Sequence, residues 1–120
     1  MAKFYLYRVK EAEFQQIEKE SLNKIKIDYL TEEVNDGDLL IVFISRLLSV
    51  IGTYTKQDDH LIARRMFKAE NMPNLRDYYS KLSLIQFKGQ RTYKIFSKKT
   101  KEITEQDFLL FDRMKEEKEK

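Results

Sequence analysis

At 120 residues the chain is the size of one ordinary domain, with 42% hydrophobic and 12% aromatic residues to build a core and, at 36% charged, too polar a surface for membrane burial. Lys and Arg number 23 against 20 Asp and Glu, a net charge of +3, so attraction to an anionic partner has to be read from where cations cluster and not from their total. With no Cys and a single His, the chain lacks a thiol nucleophile, a disulfide frame, any thiolate zinc site and any cluster of imidazole ligands; no enzyme activity, metal or cofactor is expected. No apolar run approaches the ~18 residues of a membrane span. The N-terminal MAKFYLYRVK alternates where a secretory signal is continuously apolar, so a cytoplasmic protein is expected. Three glycines, one proline, no Cys and abundant Lys, Glu and Ile suit a thermophilic source.

Along the chain, Lys3-Phe4-Tyr5-Leu6-Tyr7-Arg8-Val9 is aromatic and β-branched and reads as a buried strand. Glu11 to Ser21 places Phe14 and Ile17 on one face among Glu, Gln and Lys, the pattern of a short surface helix over an edge or end of the sheet. Lys24 to Tyr29 alternates Ile25 and Ile27 with charged residues, a short strand or an extended lid, and Thr31 to Val34 reads as one helical turn. Asn35-Asp36-Gly37-Asp38 is a turn signal. The two apolar runs after it, Leu39 to Ile44 and Leu47 to Tyr54, read as a central hairpin closed by a tight turn near Ser45-Arg46.

His60 to Lys68 fits a strand or a helix, and the strand reading is taken. Asn74, with Asp77 three residues on, starts a short helix after Pro73 that runs through Tyr79 or Lys81. Leu82 to Phe87 is open between a continuation of that helix and a strand; Lys88-Gly89-Gln90 is a turn and Arg91 to Phe96 a strand. Thr104-Glu105-Gln106-Asp107 has the N-cap and third-position acid of a capping box, with Ile103 and Phe108 placed for a hydrophobic staple. The helix it opens carries Phe108, Phe111 and Met114 inward. The pattern predicts one α+β domain over residues 1–114 and a solvated charged tail over 115–120.

The order of elements and several motifs resemble the EVE-type domains of the PUA-like superfamily. Val34-Asn35-Asp36-Gly37-Asp38-Leu39-Leu40-Ile41-Val42-Phe43 is similar to that family's Gly-Asp turn and apolar strand, and Val50-Ile51-Gly52-Thr53-Tyr54 to the strand that follows. Arg91-Thr92-Tyr93-Lys94-Ile95-Phe96 resembles its Arg-aromatic strand, and Ile103-Thr104-Glu105-Gln106-Asp107-Phe108 its lead into the last helix. The resemblance implies a small curved sheet or barrel of about five or six strands flanked by helices. It also implies a pocket at the barrel mouth that holds a nucleobase, often a modified one. Family members commonly carry Trp near the first strand and after the first helix; this chain has no Trp and has Leu22-Asn23 at the second place.

Between Leu82 and Lys101 stand six cations, Lys88, Arg91, Lys94, Lys98, Lys99 and Lys101, and no acid. Interleaved with Phe87, Tyr93 and Phe96, they are suited to phosphates and a stacked base, and Lys88, Arg91, Tyr93, Lys94 and Lys98 are the expected nucleic-acid contacts. The alternative is a solvated edge, with Lys blocking aggregation and the aromatics turned inward. Arg64, Arg65 and Lys68 extend the patch if their segment pairs beside it. In a PUA-like barrel, Tyr7 and Arg8 at the end of one strand and Ser45 and Arg46 at the end of another share one mouth, with Asn23 offering an amide to a base edge. The alternative for the tyrosines is plain core packing, and for Asn23 a helix cap. Asp58-Asp59-His60 is too small a set for catalysis, since neighbours in an extended chain point apart. The expectation is a non-catalytic module that reads a single-stranded, flipped or modified nucleotide of RNA or DNA. The alternative is a small interaction or inhibitor protein, from a mobile element or virus, that binds a protein partner.

Overall fold

The computed structural model describes residues 2–26, 34–45, 47–81 and 100–114. β1 (Phe4–Val9) passes through Lys10 into α1 (Glu11–Glu20), and a short β2 (Lys24–Lys26) follows. Next come β3 (Leu39–Ile44), β4 (Val50–Gln57) and β5 (His60–Met66), then 3-10 helices at Ala69–Asn71 and Leu75–Lys81, β6 (Thr100–Ile103) and α2 (Glu105–Asp112). The six strands form one mixed sheet in the order β2-β5-β4-β3-β1-β6. Among the described residues its outer strands are β2 and β6, which do not pair with each other, so of the two architectures left open by the sequence these residues form the sheet and not a closed barrel. β1 and β3 run parallel, Phe4 opposite Leu39 through Val9 opposite Ile44, and every other pairing is antiparallel.

β3 is central, and its near-continuous apolar run is buried on both faces, as an interior strand requires. On one face Leu40, Val42 and Ile44 pack with Tyr5, Tyr7, Val9 and Tyr54, and the half-buried Phe14 and Ile17 of α1 lean on them. On the other, Ile41 and Phe43 pack with Leu6, Phe67 and Leu75 beneath Phe108 and Phe111 of α2. A helix therefore lies on each face. The capping box of α2 forms as read: Thr104 Oγ1 accepts from the Asp107 N–H and the Asp107 carboxylate from the Thr104 N–H, both at 3.2 Å. The turn also forms, with Gly37 at φ +92° and its N–H donating to the Lys56 carbonyl at 2.9 Å.

The central hairpin departs from expectation in its connection. β4 begins at Val50 and not at Leu47, because the carbonyls of Leu47 and Leu48 and the N–H of Val50 are taken by the segment around Asn74. Asn74 Nδ2 donates to Leu47 O at 2.9 Å, Leu75 N–H to Leu48 O at 2.9 Å, and Val50 N–H to Pro73 O at 2.8 Å. Held this way, Leu48 adopts φ +58°, a left-handed conformation that a side chain disfavours. The turn after Pro73 is a 3-10 helix, and His60–Met66 is a strand, as taken. The segments read as a strand at Arg91 to Phe96 and a turn at Lys88 to Gln90 lie outside the described residues, as do Thr31 to Glu33 and the charged tail.

Candidate functional site

β1 and β3 are parallel neighbours that stop at the same end of the sheet. The Ser45 N–H donates to the Val9 carbonyl at 2.7 Å, extending the ladder one residue past β3. Arg8 sits opposite Phe43, and alternation along β1 turns it toward the α2 face while Tyr5 and Tyr7 turn toward α1. Among the described residues its Nε is buried without a hydrogen-bond partner. A guanidinium nitrogen shielded from water and lacking an acceptor is unfavourable by about 1–3 kcal/mol. β6 begins at Thr100, opposite Tyr7, so the acid-free stretch ending at Lys101 joins the sheet at this same end.

Of the five residues expected at one pocket, Arg46 lies outside the described residues and the other four do not come together. Tyr7 is 3% exposed, with its ring in the α1-side core, and offers no face to a base. Arg8 and Ser45 are neighbours at the sheet end, but Asn23 precedes β2 at the far edge, four strand spacings from β1 or about 19 Å along the sheet. Asn23 is exposed there; its N–H donates to Ser21 Oγ at 3.2 Å and its carbonyl accepts from the Ala63 N–H at 2.8 Å. Arg46, Lys88, Arg91, Tyr93, Lys94 and Lys98 lie outside the described residues.

Arg64 and Arg65 do not extend a basic patch. An extra residue in β5 opposite Thr53 and Tyr54 breaks the alternation, and both guanidinium groups reach the end of α2. Arg64 donates through Nε and Nη2 to the Asp112 carboxylate at 3.3 and 3.2 Å, and Arg65 Nη1 donates to the carbonyls of Phe111 and Asp112 at 3.1 and 3.2 Å. Cations at a helix C-terminus satisfy its last carbonyls and oppose its dipole. The double Arg opposite a helix end is what the sequence reading missed. Its only local sign is two adjacent arginines in a strand, where alternation alone would separate them.

Asp112 also accepts from Thr53 Oγ1 at 2.7 Å. Burial pushes its carboxyl upward, but the bonds from Arg64 and Thr53 and the two guanidinium charges outweigh that and hold it below the ordinary value of 3.8. A carboxyl depressed in the folded state contributes stability above its unfolded pKa, and the contribution disappears as pH falls through the lower folded value. Asp112→Asn is therefore expected to destabilise by about 1 kcal/mol near neutral pH, allowing for solvent screening, with the difference shrinking in acid as the carboxyl is protonated. Urea denaturation of both proteins at neutral and acid pH reads this; a gap that persists undiminished in acid counts against it.

His60 opens β5 opposite Lys26, while Asp58 takes φ +54° in the preceding turn. Among the described residues no three His, Asp or Glu side chains are grouped to hold a metal ion, and no helix is long and apolar enough to cross a membrane. No protein-family profile matches the chain, and no curated protein is significantly similar to it.

Proposed function

We propose that this chain is a non-catalytic nucleic-acid-binding module of PUA-like, EVE-type character, acting in the cytoplasm, with its contact centred where β1 and β3 end. The observation that carries the reading is Arg8, whose buried Nε lacks an acceptor among the described residues at the carboxyl ends of the sheet's parallel pair. In open sheets with parallel strands, ligands gather beyond those ends. A phosphate matches a guanidinium because its oxygens accept from two N–H groups of the fork at once. Ser45, just past the end of β3, adds a hydroxyl at the same end of the sheet in this reading, and the acid-free stretch from Lys88 to Lys101 raises the local concentration of polyanion. Tyr93 supplies the stacking ring in this reading, since Tyr7 is in the core.

Arg8→Met keeps the apolar stem and removes the donor. It is expected to bind single-stranded RNA and DNA about tenfold more weakly at low salt, with the salt slope smaller by about 0.7. Thermal stability without nucleic acid should be unchanged or higher, because a buried unpaired polar group has gone. Fluorescence anisotropy of labelled oligonucleotides at several salt concentrations, with melting curves of both proteins, measures this, and the oligonucleotides should be recovered uncut. Wild-type protein that binds neither RNA nor DNA at low salt overturns the reading, as does Arg8→Met binding like wild type.

A further inference from the structure

Away from the Arg8 end, the β2 edge carries a second set of outward-facing backbone groups. Among the described residues β2 pairs with β5 alone, Lys24 opposite Ile62, Ile25 opposite Leu61 and Lys26 opposite His60. The Ala63 N–H donates to the Asn23 carbonyl, which makes Asn23 and Ala63 a hydrogen-bonded pair. Bonded and non-bonded pairs alternate along an antiparallel ladder, so Ile25 and Leu61 are the next bonded pair and the N–H and C=O groups of Lys24 and Lys26 point away from β5. Ile25 is buried on the α1 face, so the exposed side chains of Lys24 and Lys26 belong to the opposite face. Beside this edge runs an open groove of 430 Å³ whose far wall is one stripe of α1, with Glu13, Gln16, Ile17 and Glu20.

An edge strand whose outward backbone groups have no partner among the described residues, next to a helix-walled groove, is the geometry in which an extended peptide adds as one more strand. We infer that β2 and α1 form a docking groove for an extended peptide in which acidic and basic residues alternate. Charge complementarity selects that occupant. On an added strand, side chains of one face meet Lys24 and Lys26 and call for acids; those of the other face meet Ile17, Glu13 and Glu20 and call for a long apolar stem with a cationic head. A nucleic acid is disfavoured by the two glutamates of the wall. A second copy of the chain is disfavoured because β2 against β2 sets Lys beside Lys. The β6 edge would likewise bring Lys101, which lies opposite Leu6 on the α2 side, to the lysine face.

The test uses three labelled heptapeptides: TEKEKET, its scramble TEEKKET, and the charge-exchanged TKEKEKT. TEKEKET should bind saturably with a Kd of about 10–100 µM, perturbing the amide signals of Lys24 and Lys26 in a nitrogen-15 NMR titration, and TEEKKET about tenfold more weakly. Lys24→Pro removes one outward N–H and leaves the β2–β5 ladder intact, and it should weaken TEKEKET at least about tenfold. The paired substitution Lys24→Glu, Lys26→Glu removes the cations that the acidic face of the peptide meets and should weaken TEKEKET at least about tenfold, and it carries the test if circular dichroism shows the proline variant unfolded. Failure of all three peptides to saturate overturns the inference. So do equal binding of TEKEKET and its scramble, and perturbations that map to the Arg8 end.

Discussion

Gly52→Ala is expected to destabilise the protein by roughly 3 kcal/mol or more, the upper range for a forced insertion into a packed interior. Gly52 lies in β4 opposite Met66, beside the irregularity where Arg64 is the extra residue of β5. A Cβ built there lands on the carbonyl oxygen of Arg65, with the Arg65 carbonyl carbon and the Met66 Cα both at 3.1 Å. These are backbone atoms of a paired strand, so no rotamer change relieves the contact; β5 itself has to shift. That shift propagates, because Arg65 caps the α2 carbonyls and the neighbouring Phe67 N–H donates to Ile51 O at 2.9 Å. For a chain of this size the melting temperature should fall by about 10–15 °C. A melting point within a degree or two of wild type would show that β4 and β5 do not approach as closely as described.

The second large effect is expected at Asp38, which is 4% exposed although a carboxylate. Its Oδ1 accepts from the Lys3 N–H at 3.0 Å and its Oδ2 from the Asn35 N–H at 2.8 Å. One side chain thus ties the turn to itself and to the start of β1, the parallel neighbour of β3. Asp38→Ala leaves both N–H groups without acceptors and should destabilise by roughly 3 kcal/mol. Asp38→Asn keeps one acceptor oxygen and should lose about half as much. Urea denaturation of the two variants reads the ratio. Equal losses would mean that charge, and not the number of bonds made, decides the contribution.

Gly52 and Asp38 also stand in two of the four motifs on which the resemblance to EVE-type domains was read, and both have structural roles in this sheet. Gly52 admits a close strand approach, and the Gly37-Asp38 pair builds the turn that leads into the central strand. Their roles here are in the approach of β4 to β5 and in the turn before β3. The departure from a common pocket has the same origin. Asn23 and Tyr7 are sixteen residues apart in sequence, but the strand order inserts β5, β4 and β3 between their elements.

What the sequence determined by itself were the features closed by neighbours in the chain. Thr104 and Asp107 cap α2 across three residues, Gly37 supplies a positive φ within its own turn, and the uninterrupted apolar run at Leu39–Ile44 needs burial on both faces and so a central place in the sheet. Each follows from local hydrogen bonds or from the amount of apolar surface, and these travel with the residues themselves. Only the tertiary structure decided the start of β4, the parallel pairing of β1 with β3, and the use of Arg64 and Arg65 on α2 in place of a basic surface. In each of these the deciding partner is remote: Leu48 is held left-handed by a chain segment 27 residues on, and the separation between Arg64 and Asp112 is 48 residues. Local propensity carries no information about which distant backbone or carboxylate will fill an open hydrogen bond, and the pairing that satisfies the most such groups sets the final register.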